Sequence, residues 1–179
     1  MSEEMSMPGT SAAGRPDALS EASRLCTQCG MCCDGTMFRR VRILEGDDPS
    51  LHEMLSVTMG AKGQGFPLPC KALQNRSCTI YCRRPQTCAD WKCKLLWRFE
   101  KEELTFPEAM RIVVQTAEHA ARVRAMLEAA VEERGVPLIQ IYRKLEESSP
   151  LSPENARAFL EFNALRVRVD KHFKTKEIA

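Results

Sequence analysis

The chain has 179 residues, a formal net charge of +2 and a pI of about 8.1, and this length suits one domain, or one small domain with an attached helical part. Because the charge is nearly balanced, nothing indicates nucleic acid or an anionic membrane as a partner. No apolar run approaches the roughly 18 residues of a membrane span, and the first residues lack the apolar core of a secretory signal, so we expect a cytoplasmic protein.

Composition divides the chain into three regions. Residues 1–22 are rich in Ser, Gly, Ala, Pro and Met without periodicity, which predicts a disordered tail. All nine cysteines lie in the next region, residues 23–98, where we expect a small cysteine-cluster domain of loops and short strands. Residues 99–179 carry helical patterns and predict an extension of about three helices packed on that domain. The predicted fold class is therefore α+β.

The first half of the cysteine region contains short local signals. Apolar runs at 37–44 and 78–81 predict small strands. Asp48 before Pro49 predicts the start of a short helix, because Asp can cap it and Pro tolerates the first turn. A flexible connection is predicted at three glycines: Gly60, Gly63 and Gly65.

Two further signals concern the placement of cysteines. The segment 74–77 predicts a tight turn that places Cys70 and Cys78 near the open ends of a hairpin. Arg84 followed by Pro85 predicts a helical turn that presents the last two cysteines: Cys88 and Cys93.

The region after residue 98 has the spacing of amphipathic helices. Thr105 and Glu108 form a capping box, which predicts a helix that Gly135 ends. Ser152 starts another helix, which the alternation at 167–169 could end as a strand. Between them a shorter helix is predicted by four apolar residues: Leu138, Ile141, Tyr142 and Leu145.

Four cysteines within eight residues carry the strongest chemical signal. Two residues between Cys26 and Cys29 let a tight turn present both sulfur atoms to one ion, and Gly30 permits a positive φ there. Adding Cys32 gives a C-x2-C-x2-C run, which with a distant fourth cysteine is also how [4Fe-4S] clusters are held. The cysteine spacing therefore does not discriminate between zinc and iron. Cys33 is adjacent to Cys32, and because neighbouring side chains converge poorly on one small ion, we expect them to serve different metals or to bridge two.

Two other interpretations of the cysteines compete with metal binding. Free cysteine packs well in cores, and secreted proteins use cysteine for disulfides. The missing secretory signal and the odd number of nine both disfavour a disulfide framework. Since eight thiols suffice for two closed zinc sites of four ligands, metal could staple a region that has little core of its own.

The spacing of the cysteines and their neighbours resembles a known family. The string Cys26-x-x-Cys29-Gly-x-Cys32-Cys33 is followed by Pro69-Cys70-x-x-Leu73 and by Cys78-x-Ile80-Tyr81-x-x-Arg84-Pro85-x-x-Cys88-x-x-Trp91-x-Cys93. Over about residues 25–97 this combination resembles the CxxCxxCC family of zinc- or iron-chelating proteins, also called YkgJ-type cysteine-cluster proteins. The resemblance implies eight metal ligands: Cys26, Cys29, Cys32, Cys33, Cys70, Cys78, Cys88 and Cys93.

The resemblance leaves the enzyme question open. Cys82 occupies a variable position of the pattern, so we do not assign it as a ligand. One relative in the family is a flagellin lysine methylase, which keeps an iron-dependent redox or protein-modifying enzyme as an alternative. The chain has no C-x3-C-x2-C radical motif, phosphate loop, nucleophile elbow or evident Cys/His pair, so catalytic residues are not assigned.

Several residues beside the cysteines have two interpretations each. Arg84 either offsets thiolate charge or pairs locally, and Trp91 and Trp97 either shield the cluster from water or pack in the core. Asp34 and Asp90 suit turns or caps better than an oxygen ligand or proton relay. Three histidines fall outside the cysteine spacing and are not assigned as ligands: His52, His119 and His172.

We expect metal ions as the ligands of this chain: zinc or iron, with an iron–sulfur cluster as one option, held by clustered cysteine thiolates. Three roles stay open: a metal-stapled interaction module, an iron-dependent enzyme and a metal carrier. The helix predicted at 106–134 could dock a protein partner, although an amphipathic face more often closes a protein's own core.

Overall fold

The structure is a computed structural model that describes residues 19–147 and 152–174. The fold is α+β, as predicted, with helices and two small antiparallel sheets. In chain order the elements are α1 (Glu21–Cys29), β1 (Arg40–Arg42), α2 (Leu51–Leu55), β2 (Thr58–Gly60), β3 (Gly63–Pro67), β4 (Leu73–Gln74), β5 (Ser77–Cys78), a 3₁₀ helix (Tyr81–Arg83), α3 (Gln86–Asp90), α4 (Lys94–Glu100), α5 (Phe106–Val131), α6 (Leu138–Glu147) and α7 (Pro153–His172).

Most of the tail predicted at 1–22 lies outside the described residues, and α1 begins at Glu21. The side chain of Ser20 caps this helix by accepting a hydrogen bond from the backbone N–H of Ser23 at 3.2 Å. Within the described part of the chain, no helix combines the length and apolarity needed to cross a membrane.

The first sheet has the strand order β1-β3-β2 and corrects the flexible connection predicted at the glycines. Strands β2 and β3 form a hairpin in which Gly60 pairs with Gly63. The guanidinium of Arg40 lies over this hairpin and donates to the Gly65 carbonyl at 2.6 Å and to Thr58 Oγ1 at 3.0 Å. A Cβ atom would lie 3.3 Å from Arg40 Nε at Gly60 and 3.1 Å from it at Gly65. Gly60 therefore makes room for the arginine, and at Gly65 a Cβ atom would also collide with the Val41 carbonyl oxygen of the neighbouring strand.

The second sheet is the hairpin β4–β5, and it confirms the turn predicted at 74–77. Asn75 and Arg76 adopt positive φ values of 47° and 67°, as the two central residues of such a turn require. The strand predicted at 78–81 is wrong beyond its first residue, because β5 ends at Cys78 and a 3₁₀ turn follows. This turn lets Ile80 enter the core, where it is 6% exposed.

The predictions for the other short elements are confirmed in part. Of the run 37–44, only Arg40–Arg42 form a strand, pairing with β3. The short helix expected after Asp48 is α2, and the Asp48 carboxylate accepts the backbone N–H of Ser50 at 2.9 Å just before it.

The three long helices begin where their sequence signals lie. In α5 the predicted capping box is present, with Glu108 Oε2 accepting the Thr105 backbone N–H at 2.8 Å. This helix ends at Val131, before the predicted stop at Gly135. The strand considered at 167–169 is wrong, since α7 continues to His172. Val167 is 69% exposed whereas Val169 is buried. In a half-buried strand these two residues would lie on the same face, so the alternation in the sequence does not mark a strand.

Two hydrophobic cores hold the molecule together. The first joins α1 and α4 to the three long helices, and it includes Leu25, Met31 and Leu95 from the cysteine region. Residues on both sides of position 98 therefore share one core. The second core is small and lies under the first sheet: Ile43, Leu51, Leu55, Phe66, Leu68, Ala72 and Ile80. The loop that carries Cys32 and Cys33 runs between the two cores.

Candidate metal centre

The last turn of α1 and the loop after it position the first four cysteines. Cys26 and Cys29 lie in the helix, and Gly30 ends it with φ 68° while its N–H donates to the Cys26 carbonyl at 3.4 Å. A Cβ atom at Gly30 would lie 2.9 Å from the carbonyl oxygen of Arg76. The glycine is thus needed both for the positive φ that the sequence predicted and for the close approach of another segment.

That approaching segment is the β4–β5 hairpin, which brings Cys70 and Cys78 to the same place. The Cys70 backbone N–H donates to the Cys33 carbonyl at 2.8 Å, and the Arg76 guanidinium donates to the Gln28 carbonyl at 2.9 Å. One hydrogen bond therefore fixes the hairpin against the end of α1, and the other fixes the residues just before the hairpin against the loop that follows α1. The expectation that Cys70 and Cys78 lie near the open ends of a hairpin agrees with this geometry.

The last two cysteines come from separate elements, which corrects the single helical turn predicted for them. Helix α3 carries Cys88 but ends at Asp90, and Trp91 after it is extended. Cys93 instead caps α4, and its sulfur atom accepts the Leu96 backbone N–H at 3.4 Å. Loss of hydration raises the pKa of the Cys93 thiol, and the Leu96 N–H opposes this rise, because unpaired N–H groups at a helix start favour negative charge on sulfur.

The eight cysteines assigned from the resemblance line two neighbouring cavities. A small cavity of about 50 Å³ is lined by Cys29 and Cys93, and a larger one of about 590 Å³ by Cys70, Cys78 and Cys88. Three cysteines line both cavities: Cys26, Cys32 and Cys33. Residues that are up to 67 positions apart in the chain, from Cys26 to Cys93, are therefore brought together.

The pKa values of these thiols show which of them are neighbours. Loss of hydration raises the pKa of Cys29 and Cys32, and the nearby Cys93 and Cys26 raise it further. We call these four cysteines the first thiol group: Cys26, Cys29, Cys32 and Cys93.

The second thiol group comprises Cys33, Cys70, Cys78 and Cys88. Loss of hydration, followed by the neighbouring Cys70 and Cys78, raises the pKa of Cys33, and the same causes raise the pKa of Cys88 to about 12. The adjacent Cys32 and Cys33 thus have their main neighbours in different groups. Cys26 stands between the groups, since Cys78 also raises its pKa.

The thiols are neighbours but do not form a finished coordination shell. Across residues 19–147 and 152–174, no three His, Cys, Asp or Glu side chains converge on a point where they could hold an ion. Electrostatic coupling acts over several ångström, whereas a Zn–S bond is about 2.3 Å long. Metal binding therefore requires the thiols to rotate inwards and to lose their protons.

The donor set nevertheless fits zinc or iron. All nine cysteines are free thiols, and thiolate sulfur is the ligand that these metals share in closed protein sites. Cys82 is exposed and lines neither cavity. The histidines also lie elsewhere, and His119 Nε2 is 2.9 Å from Glu161 Oε2 between α5 and α7. Thiolates would thus hold the metal without help from imidazole.

Arg84 combines both roles considered for it. Its guanidinium stacks over the Tyr81 ring at 3.9 Å and opposes the rise in the pKa of Cys26 and Cys88. Trp91 packs edge-on against Phe38 at 5.2 Å and lines both cavities, so it covers the thiols.

Three other residues near the cysteines have local roles. Trp97 is 45% exposed under Lys101 and packs neither in the core nor on the thiols, which corrects both roles considered for it. Asp34 accepts the Thr36 N–H at 2.7 Å and Asp90 accepts the Gln86 amide at 2.7 Å, both local roles.

One residue that supports the site escaped the sequence analysis. Arg124 of α5 donates to the Asp34 carbonyl at 2.5 Å and to the Val136 carbonyl at 3.0 Å. The Leu138 N–H donates to the Gly35 carbonyl at 3.1 Å in the same place. The helical part of the chain therefore holds the loop that follows Cys33. Nothing in the helical pattern of α5 distinguishes Arg124 from its solvent-facing arginines.

Comparison with known proteins agrees with this geometry. The model of one family, CxxCxxCC, described as a "putative zinc- or iron-chelating domain", matches residues 25–109. The match confirms the resemblance found from the cysteine spacing and supports metal binding by this segment. No curated protein and no solved structure is significantly similar to the chain.

Proposed function

We propose that this protein binds zinc or iron through eight thiolates, four from each thiol group, and the match of residues 25–109 to the model of the CxxCxxCC family supports this proposal. The observation that carries the proposal is the gathering of eight cysteines from four segments around two adjoining cavities, with the ninth left outside. A gathering of thiols that raise one another's pKa is unfavourable for thiolates alone and favourable once a cation is among them.

The division of the cysteines into two thiol groups also implies a structural role for the metal. The first thiol group comes from α1, α4 and the loop between the cores, all of which lie against the first core. The second comes from the β4–β5 hairpin, α3 and the same loop, and Cys70, Cys78 and Cys88 pack on the second core. Since Cys32 and Cys33 are joined by one peptide bond, metal in both groups links the two cores.

Single substitutions test the ligand assignment. We expect Cys29→Ser and Cys88→Ser each to lower bound metal to about half or less in protein purified without oxygen, as one four-ligand site fails. Cys82→Ser is the matched control and should retain the parent's metal content. Equal losses in all three variants, or no metal in the parent, would contradict the proposal.

The same preparations identify the metal. Elemental analysis gives zinc or iron directly, and optical spectra separate their chemistry. Closed zinc thiolate sites are colourless, whereas an iron–sulfur cluster is brown with charge-transfer absorption and gives a spin-resonance signal on reduction. A carrier would release its metal quickly to a competing chelator, but a structural site would release it only on unfolding.

A further inference from the structure

The larger cavity has a charge pattern that the thiols alone do not explain. Its volume of about 590 Å³ lies within the usual range for small-molecule sites. Among the described residues that line it there is no Asp or Glu, and five basic side chains face it: Arg40, Arg42, Lys62, Arg76 and Arg84. Apart from the cysteines, which bear negative charge only as thiolates, the charged side chains are thus all basic, and such a one-sided set attracts anions.

The rest of the wall is apolar and aromatic. Phe38, Phe66, Tyr81 and Trp91 line the cavity together with several aliphatic side chains. Apolar and aromatic walls with a few convergent polar groups are typical of sites for organic ligands. Guanidinium groups match the planar, two-oxygen geometry of carboxylate and phosphate.

Three of the five basic residues already have partners. Arg40 binds carbonyls of the first sheet, Arg76 binds the Gln28 carbonyl, and Arg84 stacks on Tyr81 beside the thiols. Arg42 and Lys62 differ. Both are exposed, and in the part of the chain that the structure describes neither side chain has a hydrogen bond or an ion pair. They come from β1 and the β2–β3 turn, whereas the cysteines come from other elements.

We propose that this cavity binds a small organic anion, with a phosphate or carboxylate group held by Arg42 and Lys62 and an apolar or aromatic body beside the second thiol group. The inference rests on the proposed function, since it places the anion next to the metal. Neutralisation of thiolate charge is the competing use of the basic residues. Arg84 serves that use, because it opposes the rise that burial causes in the pKa of Cys26 and Cys88.

Calorimetric titration of the protein with its metal as purified tests the proposal. The probes are AMP for phosphate and 2-naphthoate for carboxylate, each with an uncharged analogue, adenosine and 2-naphthol. We expect at least one anion to bind, its analogue to bind at least about tenfold more weakly, and binding to weaken as salt rises. The anion that binds more tightly indicates whether the site favours a phosphate or a carboxylate group.

The double variant Arg42→Gln/Lys62→Gln should weaken anion binding at least about tenfold. It should fold, because both side chains are exposed and, among the residues that the structure describes, neither makes a hydrogen bond or an ion pair. Arg39→Gln is the matched control, an exposed neighbour on the same segment that does not line the cavity. It should bind the anion as the parent does.

Three results would overturn the inference: no binding of either anion, equal binding of the neutral analogues, or equal affinities in the double variant and the parent. Metal content, measured on the same samples, distinguishes failure of the anion site from failure of the proposed metal binding. If the double variant loses metal together with anion binding, Arg42 and Lys62 compensate thiolate charge and the anion site is rejected.

Discussion

Gly30 joins two constraints at a single position. Its φ of 68° belongs to the left-handed region, which costs a residue with a side chain about 1–2 kcal/mol. Because Gly30 has no Cβ, the Arg76 carbonyl can approach it closely. A Cβ atom at this position would lie 2.9 Å from the Arg76 carbonyl oxygen. The sequence signalled the first constraint through the Cys-Gly pair but not the second, since the contact with Arg76 spans 46 positions.

Substituting Gly30 separates these two constraints. We expect Gly30→Ala to lower the free energy of unfolding by about 2–4 kcal/mol and to reduce metal content, because the β4–β5 hairpin must move away. Gly135→Ala is the control: its φ is 71°, but nothing lies within 4 Å of a Cβ there. It should lose only about 1–2 kcal/mol in chemical denaturation. Equal losses in the two variants would show that the Arg76 contact has no cost.

Helix α5, which begins within the matched segment and lies mostly beyond it, shows what the rest of the chain contributes. Beyond residue 109 it supplies most of the contacts to α6 and α7, and at Arg124 it reaches back to the loop after Cys33. The Gly35 carbonyl and the Leu138 N–H add a second link. The geometry of the cysteine loop therefore depends on a helix that carries no cysteine.

Removing the Arg124 guanidinium tests this dependence. Arg124→Ala should leave the Asp34 and Val136 carbonyls without their charged donor, a loss of about 1.5–3 kcal/mol per bond at most. We expect faster amide exchange in residues 31–36 and faster metal release to a chelator. Arg122→Ala, an exposed arginine of the same helix, should behave as the parent. If Arg124→Ala releases metal at the parent's rate, α5 does not support the site.

Sequence periodicity predicted the long elements better than the short ones. Helices α5 and α7 were predictable because a capping box or a Ser-Pro start precedes them, and α6 because four apolar residues recur on one face and are buried. The hairpin β2–β3 was not, because its glycines signal flexibility in isolation, and only residues of the distant strand β1 explain two of them: Arg40 at Gly60, and the Val41 carbonyl together with Arg40 at Gly65. The cysteines were predictable as a set, since ligand chemistry restricts residue type, but their division into groups depends on tertiary packing.

At the scale of the whole molecule, the thiols lie where two unequal cores meet. Among the residues that the structure describes, the first core contains 18 buried residues and the second contains seven. A core of seven residues supplies little stability alone, so the second core depends on its connection to the first. The thiol groups lie along that connection, and their protonation should therefore affect the stability of the molecule.

The pH dependence of stability follows from the raised thiol pKa values. An unfolded cysteine has a pKa of about 9.0, whereas burial raises that of Cys88 to about 12 and that of Cys33 further. The metal-free folded protein thus keeps its thiol protons where the unfolded chain loses them. This contribution to stability is complete below pH 9 and is lost as the pH rises from about 9 towards 12, by up to about 1.4 kcal/mol per pH unit for each thiol.

Bound metal should reverse this dependence of stability on pH, so denaturation with and without metal at two pH values tests it. In reductant and chelator, we expect urea denaturation to give a lower free energy of unfolding at pH 10.5 than at pH 7.5, and a smaller decrease in Cys33→Ala/Cys88→Ala. The metal-loaded protein holds thiolates throughout, so it should keep its stability at high pH and lose it at low pH, where protons compete with the metal. A metal-free protein as stable at pH 10.5 as at pH 7.5 would mean that the thiols are not desolvated in solution.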